Sequence, residues 1–242
     1  MHPRLIFTGP TLSHAEASTI MPEAICLPPA AQGAIVAAVQ RYAPSAIALI
    51  DGTFQSQPAV RHKEILWAIS LGIPVVGAAS MGALRAAELY PHMRGVGFIF
   101  RYYRRFAFTR DDAVAVLHGP AEVKFAALTD ALVDLRRTIR KAYRAQLISG
   151  EDCSRLESRA QALNFRERTL PRTVQDAFPY RDTAAIEHCC QMLSGQFVQQ
   201  KKRDALEALR ILRAEVFTGE PPSEFKLTAA FSKDLDDAGL AL

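Results

Sequence analysis

The chain has 242 residues, 49% of them hydrophobic and 22% charged, with a formal net charge of +4. These totals are those of an ordinary globular protein long enough to bury a substantial core, and they exclude a disordered or low-complexity chain. No apolar run approaches the roughly 20 residues of a membrane-spanning helix, and the opening MHPRLIF lacks the basic and long apolar segments of a secretory signal, so a cytoplasmic protein with no membrane partner is expected.

Along the chain, RLIF (Arg4–Phe7) runs into the turn TGPT, AIALI (Ala46–Ile50) into DGTF, and IPVV (Ile73–Val76) into GAASMG. Each apolar segment is followed by helical periodicity. That alternation predicts an α/β fold: a mostly parallel open sheet, buried on both faces, with flanking helices. The three glycine-containing turns then sit at strand C-terminal ends, where open α/β sheets bind their ligands. A helix is expected from about Pro58 to Leu71, and GVGFIF (Gly95–Phe100) reads as a fourth strand. DDAVAVLHG (Asp111–Gly119) opens with two carboxylates that suit a helix N-terminus.

From about Leu128 the pattern is almost wholly helical, through LVDLRRTIRKAYRAQL and KKRDALEALRILRAEV, while TGEPPSEF after Phe217 reads as irregular. The expected organisation is an α/β core over residues 1–125 and a largely helical C-terminal half over 126–242, packed on it. Basic residues bunch in RYYRR (Arg101–Arg105), in DLRRTIRKAYR (Asp134–Arg144) and in KKR (Lys201–Arg203). Such runs read as solvated helix faces rather than a nucleic-acid surface, and an acidic protein partner stays open. The four cysteines, Cys26, Cys153, Cys189 and Cys190, lack metal-ligand spacing, so neither a metal nor another cofactor is expected.

The chemistry concentrates in GAASMGALRAAE (Gly77–Glu88). A strand, a tight small-residue turn and a helix together can lift the Ser80 hydroxyl above the sheet, with the Met81 amide and the helix dipole ready to stabilise an anion. Ser80 is equally readable as a plain helix cap. Arg85 and Glu88 lie at i,i+3 and can pair. Surrounding alanines suggest a tightly packed helix, in which a guanidinium is a candidate anion ligand. Asp51 closes the second strand, where a carboxylate can orient a base, a water or an amide; an ordinary Asp-Gly turn is the alternative. In VRHKEI, His62 could serve as general base or proton donor, Lys63 as an anion clamp, and Glu64 as a base or as a partner for Arg85, although each alone reads as a solvated helix residue.

The run IDGTFQSQPAVRHKEILWAISLGIPVVGAASMGALRAAEL, with FTGPTLS, MRGVGFIF and DDAVAVLHGP around it, closely resembles the TfuA-like protein family over roughly Ile6 to Arg137. The resemblance implies an accessory protein to YcaO enzymes, which replace a peptide-backbone amide oxygen with sulfur. It further implies a sulfur-supply role as a hydrolase of a thiocarboxylated, ThiS-like carrier that releases sulfide, and help in engaging the YcaO enzyme and its acceptor peptide. On that basis Ser80 attacks or anchors the thiocarboxylate. The Met81 amide and the loop Gly9, Pro10, Thr11 form the oxyanion site, Arg85 or Lys63 binds the anion, with Glu88 beside Arg85, and His62, Glu64 or Asp51 manage protons. Two rivals are a non-catalytic adaptor that holds the carrier tail or acceptor peptide, and a small-molecule or phosphate-binding α/β protein. The second is disfavoured because neither G-x-x-x-x-G-K-[ST] nor G-x-G-x-x-G occurs. A homo-oligomer is left open.

Overall fold

A computed structural model of the chain describes residues 2–55, 57–106, 109–214 and 225–242. The chain divides into two compact units, residues 1–108 with 202–242, and residues 109–201.

The first unit is built on β1 (Arg4–Phe7), β2 (Ile25–Leu27), β3 (Ala46–Leu49), β4 (Val75–Ala78) and β5 (Arg94–Val96), all parallel and in the order β2-β1-β3-β4-β5. The connecting helices are α1 (His14–Ile20), α2 (Ala34–Tyr42), α3 (His62–Ser70) and α4 (Met81–Glu88), and α5 (Gly97–Arg105) follows β5. The predicted parallel α/β sheet is borne out. Because β2 lies on one side of β1 and β3 on the other, the winding reverses between β1 and β3. In sheets of this order a crevice opens at that reversal, outside the strands' C-terminal ends.

Strand alternation sends side chains to both faces. Leu5, Phe7, Ile47, Leu49 and Val75 meet Ile35, Val39, Ile65, Ile69 and Ala86 of α2, α3 and α4. On the opposite face Ile6, Ala48, Val76 and Ala78 meet Ala17 and Met21 on the α1 side, and Ala205, Ala208, Leu209 and Leu212 of α10 (Gln200–Ala214). A helix from the end of the chain thus completes the second layer of a sheet formed by its beginning. The α11 helix (Ala229–Asp237) adds Phe231 and Leu235 against Val36 of α2.

Two local expectations change. GVGFIF is a strand only at its start: Gly95 and Val96 pair with β4 as part of β5, pairing stops there, and α5 begins at Gly97, whose φ of +91° is a left-handed conformation that only glycine adopts without strain. Asp204 of α10 is the reason. Its carboxylate accepts from the Ile99 amide at 2.7 Å and occupies the space a Gly97 Cβ would fill, with Asp204 Cγ only 2.3 Å from that position. DDAVAV, in turn, forms only a single 3-10 turn, Asp111–Ala113. Asp112 is drawn into a pair with Arg168 at 2.8 Å, and the fully buried Arg168 also donates to the carbonyls of Asp112, Ala160 and Leu163. A buried guanidinium left without acceptors costs more than a helix cap contributes.

The second unit packs α6 (Leu132–Arg144), α7 (Gly150–Ala162), α8 (Leu170–Ala177) and α9 (Thr183–Gly195) around Leu135, Ile139, Leu156, Val174 and Leu193. Among the described residues no helix is long and apolar enough to cross a membrane. Most of TGEPPSEF, residues 218–224, lies outside the described residues.

Candidate functional site

The loops after β1, β3 and β4 meet at one edge of the sheet, and Asp51 organises two of them. Its carboxylate is 1% exposed and accepts from the Gly9 and Thr11 amides, each at 2.9 Å, and from the Thr11 hydroxyl at 2.5 Å. The loop after β2 joins on the other side: the Ala30 amide donates to the Asp51 carbonyl, and the Thr53 amide donates to the Ala30 carbonyl. His14 Nε2 lies 3.0 Å from the Thr8 carbonyl and 3.1 Å from that of Leu27, tying β1 and β2 together. His14 was not singled out in the sequence. The capping box that starts its helix, Ser13 with Glu16, was the available signal.

The third loop carries Ser80. Its approach to β3 is set by glycines: a Cβ on Gly82 would lie 1.7 Å from the Leu49 carbonyl oxygen, and one on Gly52 would lie 2.7 Å from Met81 Cγ. Only glycine at both places lets α4 seat its first turn on the end of β3, where the Gly82 amide donates to the Ile50 carbonyl. Immediately before Ser80, Ala79 has φ +66°, a left-handed conformation that costs a non-glycine residue about 1–2 kcal/mol. Strain of this kind is retained where neighbouring structure enforces it, often at functional loops.

Ser80 itself is 8% exposed, and its hydroxyl neither caps α4 nor bonds any other described residue. The first turn of α4 is otherwise used up: the Ala83 and Leu84 amides donate to the Ser80 carbonyl and the Gly82 amide to Ile50. The Met81 amide has no acceptor among the described residues. Among the described residues, a hydroxyl and an adjacent amide at the positive end of a helix are thus left together without partners, and the hydroxyl is not sealed from solvent.

The ionisable residues expected around Ser80 have other engagements. Arg85 Nε donates to the Val60 carbonyl at 2.9 Å and its Nη1 to Glu88 at 2.7 Å, so its pair is Glu88 rather than Glu64. His62 Nε2 reaches the same Glu88 oxygen at 2.8 Å, giving a His62–Glu88–Arg85 cluster that joins the start of α3 to the end of α4. Burial pushes the Glu88 carboxyl up, but hydrogen bonds and charges from His62 and Arg85 outweigh it and hold it below the usual carboxylate range. Glu64, 1% exposed, caps two helices at once, accepting from the Arg61 amide at 2.9 Å and the Ile35 amide at 3.2 Å. Burial outweighs those amides, and its pKa is raised. Lys63 turns toward the C-terminal segment, donating to the Lys226 carbonyl at 3.2 Å beside the Phe225 ring. The Gly9 and Thr11 amides are committed to Asp51, and Pro10 between them has no N–H to offer. Among the described residues no group of three or more His, Cys, Asp or Glu is placed to hold a metal ion.

The segment that carries most of this geometry, from Asp51 through α3, the Ser80 loop and α4, lies within a match to the family model described as TfuA-like protein, over residues 51–169. This segment is TfuA-like. The match begins at the carboxylate that organises the rim, and Gly9–Thr11 fall outside it. A comparison with curated proteins returns no match. This match is consistent with an accessory role in thioamidation and with a protein partner in such a system.

Proposed function

We propose that this TfuA-like chain supplies sulfur for YcaO-dependent peptide backbone thioamidation by hydrolysing the C-terminal thiocarboxylate of a ThiS-like carrier protein. The observation that carries the reading is Ser80, a residue only 8% exposed whose hydroxyl has no hydrogen-bond partner among the described residues yet is not sealed from solvent, beside the Met81 amide, likewise without an acceptor among them, at the N-terminus of α4. In this reaction Ser80 Oγ attacks the thiocarboxylate carbon, the new oxyanion is held by the Met81 amide and the helix dipole, and the C–S bond breaks. The hydroxyl proton leaves with sulfur as hydrosulfide, and an acyl-serine remains. Water then hydrolyses the ester, returning the hydroxyl and a carrier carboxylate. The Asp51 bonds to Gly9 and Thr11 hold the neighbouring loop still, and the glycines of the Ser80 turn let α4 rest on the end of β3.

A second reading, a non-catalytic adaptor that holds the carrier tail or acceptor peptide for the YcaO enzyme, is favoured by a different observation. His62 through Nε2, Glu64, Asp51, Arg85 and Lys63 each bond a partner other than Ser80, and none of them bonds its hydroxyl, so on this reading a base for Ser80 comes from substrate, water or a partner protein. One experiment separates the two. Purified chain is mixed with carrier thiocarboxylate, sulfide is measured, and the YcaO enzyme is titrated separately. The hydrolase reading expects Ser80→Ala to lower sulfide release by about 100-fold or more while YcaO binding is kept. Release unchanged by Ser80→Ala rules out serine attack, and no release even from the unaltered chain leaves the adaptor.

A further inference from the structure

The end of α5 presents cations that have no counter-charge among the described residues. Between Glu88 and Asp111 the chain has five arginines and no Asp or Glu. Three of them, Arg101, Arg104 and Arg105, lie at i, i+3 and i+4 on α5, hence on neighbouring positions of one face, and all three are exposed. None has an ion-pair or hydrogen-bond partner among the described residues. Like charges at this spacing repel and weaken a helix, and only the negative end of the helix dipole offsets them.

Aromatic rings hold two of the guanidiniums in place. Arg104 lies over the Tyr90 ring at 4.1 Å, Arg105 over Phe106 at 5.6 Å, and Tyr102 packs on Phe106 with centroids 4.8 Å apart. Tyr90 and Phe106 are 55% and 48% exposed. Stacked guanidiniums lose less freedom on binding and keep their N–H edges outward for carboxylates. The helix that carries them is anchored at its other end, where Asp204 holds the Ile99 amide. A rigid platform of arginine and tyrosine with solvent-facing phenylalanine has the composition that dominates protein interface energetics.

We infer that the Arg101–Arg104–Arg105 face of α5, with Tyr90 and Phe106, docks a protein partner through a surface rich in Asp and Glu. A protein is favoured over nucleic acid because the patch is confined to one short helix. A chain of only +4 lacks the extended basic track along which a phosphate backbone lies. The assignment is independent of the chemistry at Ser80.

The test titrates the full chain against labelled poly-L-glutamate and, separately, against an oligothymidylate about 20 nucleotides long. The patch variant is Arg101→Gln/Arg104→Gln/Arg105→Gln. The control variant removes the same charge from scattered exposed positions, Arg144→Gln/Arg159→Gln/Arg210→Gln. Poly-L-glutamate is expected to bind in a salt-sensitive way, weakened about tenfold or more by the patch variant and less than about threefold by the control. Equal weakening by the two variants, no binding of poly-L-glutamate, or tighter binding of oligothymidylate through the same arginines would each overturn the inference. Circular dichroism checks the fold; if the triple variant loses helicity, Arg104→Gln alone, whose guanidinium only stacks on Tyr90, serves in the same comparison with Arg210→Gln.

Discussion

Asp51 can be removed in two ways that separate loop-holding from proton transfer. In Asp51→Ala, two amides and a hydroxyl lose one buried carboxylate, with original distances of 2.9, 2.9 and 2.5 Å. Hydrogen bonds to a charged group contribute about 1.5–3 kcal/mol each. The hydroxyl can turn to another acceptor and the two amides share an oxygen, so the loss should be about 3–5 kcal/mol rather than the full sum. In Asp51→Asn the amide oxygen can keep both backbone bonds at neutral strength, and its NH2 meets a Thr11 hydroxyl able to accept, so about 1–2 kcal/mol should be lost. Trp67 is the only tryptophan and sits in α3, so its fluorescence in urea follows the first unit alone. Amide exchange at Gly9 and Thr11 follows the loop itself, and should be fast in Asp51→Ala and partly protected in Asp51→Asn. Equal damage from the two variants, or exchange unchanged in Asp51→Ala, would refute the loop-organising role. Full protection in Asp51→Asn with sulfide release abolished would instead make Asp51 a proton carrier.

Gly82→Ala should destabilise the first unit by about 2–4 kcal/mol in the same Trp67 assay, because the new methyl meets the Leu49 backbone at 1.7 Å rather than a side chain that can swing away. Elsewhere in a helix the same change usually stabilises by about 1 kcal/mol, so a neutral or positive result would show that α4 does not rest on β3. In the second unit, burial raises the Asp134 carboxyl to about 6 despite the opposing charge of Lys201 and the amides of Lys201 and Gln200. A carboxyl that binds its proton more tightly when folded contributes stability at low pH and loses it as pH rises, here between about 4 and about 6, by an amount on the order of a few kcal/mol. Exchange protection of the buried Leu135 and Ile139 amides should therefore fall from pH 4.5 to pH 7 after correction for intrinsic rates, and Asp134→Asn should flatten that trend. A trend unchanged in the variant would assign it to another group.

The three main strands and their turns could be read directly because each is a short apolar run closed by glycine or Asp-Gly, and both faces of the sheet are buried. Smaller elements escaped for physical reasons. β2 is only Ile25–Leu27, half-buried at the sheet edge, too short and too mixed to show a period. GVGFIF reads as a strand from its apolar content, and only the distant Asp204 carboxylate explains why it turns into a helix at Gly97. Within the candidate site, the cluster of serine, glycines and alanines was legible, and so was the pairing of Arg85 with Glu88 at i,i+3. What each ionisable group does with its oxygens and nitrogens was not. Glu64 reads as a base in VRHKEI, yet it sits at the third position of its helix, where a carboxylate reaches back to cap the chain, and the start of α2 supplies another amide.

Local composition and periodicity were thus enough to determine a parallel α/β sheet, the strand-end position of its turns and the small-residue loop around Ser80, because those features depend on residues close together in the chain. Only the tertiary structure decided that Asp51 belongs to the Gly9–Thr11 loop, that α10 closes the face of a sheet begun some 200 residues earlier, and that the Ser80 hydroxyl has no partner among the described residues. Each of these is a competition among buried polar or apolar groups for contacts, and the winner is set by which distant backbone arrives within hydrogen-bonding or packing distance.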